Sequence, residues 1–419
     1  MKALSENIKN ETFNTASKYG WLTIKCSRMY ILAMHFFTKL IEMFSKGIIL
    51  FESFPELDGS PWMLYQEMVK RGLDKKYKLV WAVDKDFKVP HGIKSIPFFG
   101  KLSRLQRFRR SFYRKHVKLI IDSNRPIYKE NPESIRIYTR HGGPFKKCPD
   151  YMHYLAKMDY MLTLSPAMQE IDFIDCKGYC VDKIEDILPL GFPSNDRLFE
   201  KTDLFGNGFY PALCTEKPQK PFSKVIGWLP TFRQHRQGGR IDSEKVFPFG
   251  IPLVQTEEEL VQLNQFLSEK NILLAIQMHH AQAANFSKQA FSNIVLISQD
   301  LKYKMGVSTA NLMQSFDALI TDYSAAYHEY IMLDRPIALA IDDFEEYSSK
   351  TGFLFDYFEW IKGEYLKTTS DLTRFIENVA NGIDTAKAER EQAMHRIHQY
   401  VDNQSTKRVV DFLVEKVKL

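Results

Sequence analysis

His141 sits in the run Arg140-His141-Gly142-Gly143-Pro144, directly after the apolar stretch Ile135–Thr139. An imidazole accepts a proton near neutral pH without a large pKa shift, so a histidine placed there suits the deprotonation of a hydroxyl nucleophile. Two following glycines let a backbone approach a ligand closely. The competing reading is a turn histidine that caps backbone groups. Arg233 closes Pro230-Thr231-Phe232-Arg233 after another apolar run. A guanidinium in that place can clamp two phosphate oxygens. Thr321-Asp322-Tyr323-Ser324 lies between a strand and a helix pattern. Free N–H groups and the helix dipole suit phosphate there, although Ser or Asp also simply caps helices. His279-His280 end a further apolar run, and one ring would contact a phosphate or protonate a leaving one. A zinc pair is disfavoured, because adjacent residues rarely both ligate and no third ligand is near in sequence.

These residues share a position. In open α/β sheets, ligands bind outside the carboxyl ends of the strands. Five polar clusters follow predicted strand ends, after Ile135–Thr139, Ile187–Leu190, Val225–Leu229, Ile272–Met278 and Ala318–Ile320. The second of them runs Gly191-Phe192-Pro193-Ser194-Asn195-Asp196. One crevice lined from two domains accounts for all five.

The elements that must position them read as α/β throughout. Strands are predicted at Ile48–Phe51, Lys78–Val83, Val117–Ile121, Ile135–Thr139, Met161–Leu164 and Ile187–Leu190, with a helix at Trp62–Arg71. Arg197–Ser223, with Gly206, Gly208, Pro211, Pro218 and Pro221, reads as an interdomain connection. The pattern resumes with strands at Lys224–Leu229, Ile272–Met278, Ile294–Ile297, Ala318–Thr321 and Ile337–Ile341. Helices are predicted at Glu257–Lys270 and Ala325–Leu333, and Asp371–Leu419 reads as helices broken near Asp402-Asn403. Strands alternating with helices imply βαβ units and a mostly parallel sheet.

The chain has 419 residues, 44% hydrophobic and 26% charged, which fits two to three globular domains and excludes a disordered or collagen-like chain. Lys+Arg 57 against Asp+Glu 51 gives +6, too weak by itself to argue for nucleic acid. The 5 cysteines, 26, 148, 176, 180 and 214, form no CxxC and no paired zinc spacing, so they read as free thiols in a reducing compartment. No secretory signal and no bilayer-spanning run is read. Trp21–Lys46 mixes aromatics with Lys25, Arg28, Lys39 and Lys46, and reads either as a helix in a membrane interface or as a core-packed helix. Residues 101–118 carry Lys101, Arg104, Arg107, Arg109, Arg110, Arg114, Lys115 and Lys118 without an acid, interleaved with Phe108, Phe112 and Tyr113. That segment suits anionic lipid, an anionic polymer or nucleic acid, against the plainer reading of a solvated helix face. GxxxxGK[ST], GxSxG, HExxH and GxGxxG are all absent. Asp84-Lys85-Asp86 and Asp342-Asp343 read as loop or surface acids rather than a Mg²⁺ site.

Together the motifs resemble the CDP-glycerol glycerophosphotransferase family, which includes teichoic-acid primases and polymerases and related capsule enzymes. The resemblance runs from Ile48-Ile49-Leu50-Phe51-Glu52-Ser53-Phe54 to about Val410. It includes Tyr77-Lys78-Leu79-Val80-Trp81, Thr139 to Lys146, Gly191 to Asp196, Pro230 to Arg233, Thr321 to Ser324, Glu329-Tyr330, Asp334 to Ile337, Asp343 and Glu346-Tyr347. Three segments depart from it. Gln277-Met278-His279-His280 stands for Lys-x-His-Pro, Pro193-Ser194-Asn195-Asp196 for Pro-Arg-Asn-Asp, and Gly142-Gly143-Pro144 for Gly-Thr-Pro.

The resemblance implies an α/β fold of two Rossmann-like domains facing a cleft, the GT-B arrangement, attached peripherally to the cytoplasmic face of a bacterial membrane. Residues 1–46 would form a helical, membrane-associating segment and 47–205 the domain for a lipid-linked glycan or polyol-phosphate acceptor. Residues 206–223 would be a linker, 224–385 the CDP-alditol domain and 386–419 C-terminal helices. His141 would be the base. His279, Arg233 and the Thr321–Ser324 segment would stabilise charge on the pyrophosphate of CDP-glycerol or CDP-ribitol. Gly142, Lys146, Asn195, Asp196, Thr231, Asp322 and Glu329 would join them in binding substrate. No metal or cofactor and no nucleic acid is implied, and an anionic membrane surface is. Two further classes stay open, a nucleotide-sugar glycosyltransferase on the same scaffold and a non-catalytic membrane- or polymer-binding relative.

Overall fold

The computed structural model describes residues 47–147, 157–176, 180–201, 204–207, 221–231, 233, 243–277, 291–298, 301–302 and 306–419. The expected helix of Trp21–Lys46 lies outside them, as do His279, His280, Cys26, Cys148, Cys214 and most of the expected linker.

In chain order the first half contains β1 (Ile48–Phe51), α1 (Gly59–Lys70), β2 (Lys78–Asp84), β3 (Ser95–Phe99), α2 (Arg104–His116), β4 (Val117–Asp122) and β5 (Ile135–Tyr138). It continues with β6 (Tyr160–Leu162), α3 (Pro166–Cys176) and β7 (Ile187–Leu188). The second half contains β8 (Lys224–Trp228), α4 (Glu257–Glu269), β9 (Ile272–Ile276), β10 (Ile294–Leu296), α5 (Thr309–Gln314) and β11 (Ala318–Thr321). It ends with α6 (Ala326–Tyr330), β12 (Ile337–Ala340), β13 (Glu364–Leu366), α7 (Thr369–Ala380), α8 (Lys387–Ile397) and α9 (Ser405–Lys416).

The strand orders are β3-β2-β1-β4-β5-β6-β7 and β10-β9-β8-β11-β12-β13. Both follow the doubly wound pattern, in which the order reverses beside the first strand. The pairings of β8 with β9 and β11, of β11 with β12 and of β2 with β3 are parallel. Parallel strands covered on both faces need continuous apolar runs. Accordingly β1, β9, β11 and β12 are buried at every position. Sequence reading missed β3 and β13. Each is an edge strand. The first carries Pro97, a residue tolerated at edges, and the second has 3 residues, too few to show a period. The helix expected at Ala325–Leu333 is α6 followed by a 3₁₀ turn at Ile331–Leu333, closed by Asp334 at φ 47°.

The described chain falls into two compact units, with β1 and β4 contributing residues to both. The smaller takes 47–50, 72–119 and 130–134. In it, α2 starts with a Ser103–Gln106 capping box, and Arg110 donates to the carbonyl of Phe98 at 3.1 Å. Arg114 pairs with Glu130 at 2.8 Å. Leu105 and Phe108 stay 69% and 71% exposed.

The larger unit takes all other described residues. Leu260, Leu263 and Leu267 of α4 and Leu372, Phe375 and Ile376 of α7 cover Ile226, Trp228, Leu274 and Ile276 of the second sheet. The C-terminal helices return to earlier elements. Arg71 beyond α1 pairs with Asp411 of α9 at 2.5 Å, and Gln399 donates to Leu164 at 3.0 Å. Among the described residues, no helix is long and apolar enough to cross a membrane.

Candidate active site

The switch point of the first sheet lies between β1 and β4, and that of the second between β8 and β11. Within the larger unit a cavity of about 310 Å³ opens where these strands end. Ser53 follows β1, Ser123 and Asn124 follow β4, Leu229 and Pro230 follow β8, and Ser324 follows β11. Arg140 and His141 after β5 and Gln277 after β9 complete that wall.

Glu52 ties the two first-sheet strand ends together. Its buried carboxylate accepts from the backbone of Ser123 at 3.2 Å and Asn124 at 3.1 Å, and from Arg125 Nε at 2.9 Å. The Ser123 carbonyl thus held meets Nδ1 of His141 at 3.0 Å. A carbonyl only accepts, so in the neutral ring Nδ1 bears the proton and Nε2 the lone pair. His141 is exposed along the cavity, and the protein packed around the ring still desolvates its charged form. Burial, and then the neighbouring Arg140 charge, hold its pKa below the ordinary histidine value. The arrangement keeps a neutral base at neutral pH.

The two glycines serve packing rather than ligand approach. Gly142 has φ +154°, and a Cβ there would lie 2.8 Å from the Ala325 methyl. A Cβ on Gly143 would lie 2.6 Å from Nδ1 of His328. The loop therefore lies directly on α6, with His328 buried and its pKa pushed down to about 3 by that burial.

Asp58, Ser308, Thr309 and Glu329 also line the cavity. Burial pushes the Glu329 carboxyl up to about 7, opposed by the charge of Lys302. Lys302 is itself buried, donates to Thr309 Oγ1 at 2.8 Å, and is pushed down to about 8 by desolvation. Glu329 on the cavity and Lys302 behind Thr309 are thus both shifted toward neutrality by burial.

Of the residues selected from sequence, His141, Ser324 and Glu329 line the cavity. Ser324 Oγ also accepts from the Ala326 amide at 3.3 Å, a turn at the start of α6. Arg233 is corrected. Its guanidinium is buried and pairs with Asp343 at 2.6 Å and Asp322 at 2.9 Å. It lies 4.9–5.1 Å from the ring centres of Tyr323, Phe247 and Tyr347. A phosphate clamp needs exposed donors, and here two carboxylates take them. Asp322 and Asp343, the latter read as a surface acid, are the other halves of that strut. Thr231 donates to Asp322 through its amide at 2.9 Å and its hydroxyl at 2.6 Å, and Thr321 donates to the Leu229 carbonyl at 2.8 Å. These bonds lock the ends of β8 and β11 against each other.

Asp196 is likewise corrected. It accepts from the amides of Ser405 at 3.0 Å and Thr406 at 2.8 Å, at the start of α9. Asn195 is buried, with Nδ2 3.4 Å from the Met332 sulfur. Lys146 bridges to Phe353 and lies 5.3 Å from the Tyr347 ring centre, away from the cavity wall. Sequence reading gave no role to Glu52, Asp58 or Lys302. The first two follow β1 and obey the same strand-end rule, whereas nothing in sequence marks Lys302. Among the described residues, no group of three His, Cys, Asp or Glu side chains could hold a metal ion.

The model of the family CDP-glycerol:poly(glycerophosphate) glycerophosphotransferase matches residues 34–415. The chain belongs to this family. A teichoic acid poly(glycerol phosphate) polymerase of Bacillus subtilis (strain 168) is 25% identical over 358 residues, 80% of this chain and 44% of that protein. A teichoic acid ribitol-phosphate primase of Bacillus spizizenii is 26% identical over 278 residues, 64% of this chain and 63% of that one. The chain thus spans less than two thirds of each of these relatives. A solved variant of the wall teichoic acid polymerase TagF superposes with a TM-score of 0.67 at 20% identity, covering 90% of this chain and 89% of that one. The likeness shows that this glycerophosphotransferase-family chain has the expected GT-B fold.

Proposed function

We propose that the protein transfers glycerol phosphate or ribitol phosphate from a CDP-alditol to a hydroxyl of a lipid-linked glycan or growing polymer, releasing CMP. The observation that carries this reading is the neutral His141 imidazole, oriented by the Ser123 carbonyl on the wall of a strand-end cavity. Nε2 takes the proton of the acceptor hydroxyl. The oxygen attacks the alditol-bearing phosphorus, and the bond from that phosphorus to the CMP oxygen breaks with its electron pair leaving on CMP. Arg197 and Ser324 on the cavity wall supply donors for the phosphates. His279 keeps its assignment to the leaving phosphate as part of the proposal. The family membership supports the donor class, and the relatives' names include both alditols.

The same proposal places the enzyme at an anionic membrane surface on the cytoplasmic face, in wall teichoic acid or capsule synthesis. Its support is α2, which exposes Leu105 and Phe108 between Arg104, Arg107 and Arg109. No metal is assigned to the reaction.

The test is CMP release from CDP-glycerol and from CDP-ribitol, with and without membrane glycolipids. Acceptor-dependent CMP from either donor is expected, with EDTA present. Release of UDP or GDP from a sugar nucleotide in its place, or no CMP from folded protein given a competent acceptor, overturns the reading. Requirement for Mg²⁺ after EDTA overturns the metal-free step. Failure to sediment with anionic vesicles overturns the membrane assignment.

A further inference from the structure

Arg140 has a φ of 58°, a left-handed conformation disfavoured for any residue with a Cβ. Two anchors hold it. On the strand side, the Thr139 amide donates to the Asp122 carbonyl at 2.8 Å, fixing the end of β5. On the helix side, Nη1 of Arg140 pairs with Oδ1 of Asp172 on α3. The other Asp172 oxygen accepts from Thr163 Oγ1 at 2.6 Å. Thr163 is itself fixed, donating its amide to Leu188 at 2.9 Å and accepting from Gly191 at 3.0 Å. Asp172 is fully buried, and its carboxylate ends this chain of bonds on the residue immediately before His141.

We propose that Asp172 is a positioning residue for His141, acting through Arg140 to hold the turn that delivers the imidazole to the cavity. The proposal rests on the reading of His141 as the base. Asp172 also has an electrostatic effect. The Arg140 charge disfavours the imidazolium, and a carboxylate in ion-pair contact with that guanidinium offsets it by simple Coulomb attraction. Tyr138 of β5, Asp175 and Cys176 of α3, Cys180 beyond it and His328 of α6 also feel the guanidinium. Among these groups, Asp172 is the one in ion-pair contact with it.

Two substitutions have opposite expected signs. Asp172→Asn removes the offsetting charge, so the imidazole binds its proton less tightly and the acid limb of the kcat profile moves to lower pH. Loss of the anchor also lowers kcat about tenfold with an unchanged donor KM. Arg140→Gln removes the positive charge and moves the limb to higher pH. Asp172→Glu keeps the charge and leaves the limb in place. A merely structural role for Asp172 would lower the yield of folded protein and move neither limb. The measurements are pH profiles of CMP release and ¹H–¹⁵N NMR titration of the His141 ring, assigned by its loss in His141→Asn. Unmoved ring titration in Asp172→Asn overturns the proposal, whatever Arg140→Gln shows. Wild-type turnover by His141→Asn overturns the base reading instead, and the ring titration still reports whether Asp172 governs the imidazole.

Discussion

Nδ1 of His141 lies 3.0 Å from the carbonyl oxygen of Ser123, a group held in place by the buried carboxylate of Glu52. The contact fixes the tautomer, and with it the atom that can accept a proton. His141→Asn keeps a donor toward Ser123 and removes the base. Turnover is expected to fall about 10²–10⁴-fold, with donor Kd unchanged by calorimetry. In the wild type, activity requires the neutral ring, so it rises with pH through the His141 pKa. That midpoint is expected below 6.5, because burial and Arg140 lower it.

Arg233→Met leaves Asp322 and Asp343 buried without their cation. Breaking such a pair costs about 3–5 kcal/mol, read as a lower urea midpoint. Arg233→Lys is expected to recover little, since an ammonium cannot bridge two carboxylates as a planar fork does. Donor Kd for the folded fraction should stay at the wild-type value. A weakened Kd without loss of stability would restore the phosphate-clamp reading.

Gly143→Ala places a methyl group 2.6 Å from the His328 ring. The ring is buried in the aromatic group of Phe145 and Phe355 and cannot retreat freely. Overpacking of this kind costs about 1–3 kcal/mol. The loop is expected to lift and carry His141 with it, giving a larger fractional loss in kcat than in folded protein.

Glu329 gives a pH-dependent term. Burial raises its carboxyl from 4.5 to about 7, so the folded protein retains a proton there that the unfolded chain has released. Its contribution to stability is complete below 4.5 and lost as pH rises through about 7. Glu329→Gln is expected to flatten the fall in denaturation midpoint across that window. Binding of an anionic donor should weaken through the same window in the wild type, as the wall becomes negative, and not in Glu329→Gln. Parallel curves for the two proteins would place Glu329 outside the control of the cavity charge.

Sequence alone determined the central strands of both sheets and the strand ends where polar residues gather, but not the edge strands β3 and β13. A strand buried on both faces must be apolar at every position, so β1, β9, β11 and β12 announce themselves, and the polar residues that interrupt them mark the strand ends. Ligand-facing groups collect at those ends, which is why the strand-end pattern selects His141 and Ser324, whereas Glu329 on α6 comes only from the family resemblance. Local pattern could not separate a polar group that faces the cavity from one that faces another polar group. Arg233 and Asp343 are 110 positions apart, and Asp196 caps a helix that begins more than 200 residues later. Only the fold brings them together, and burial then obliges each charge to find its partner rather than a ligand. The same holds for Lys302 and Glu329, whose ordinary side chains acquire near-neutral titration solely from where the chain places them.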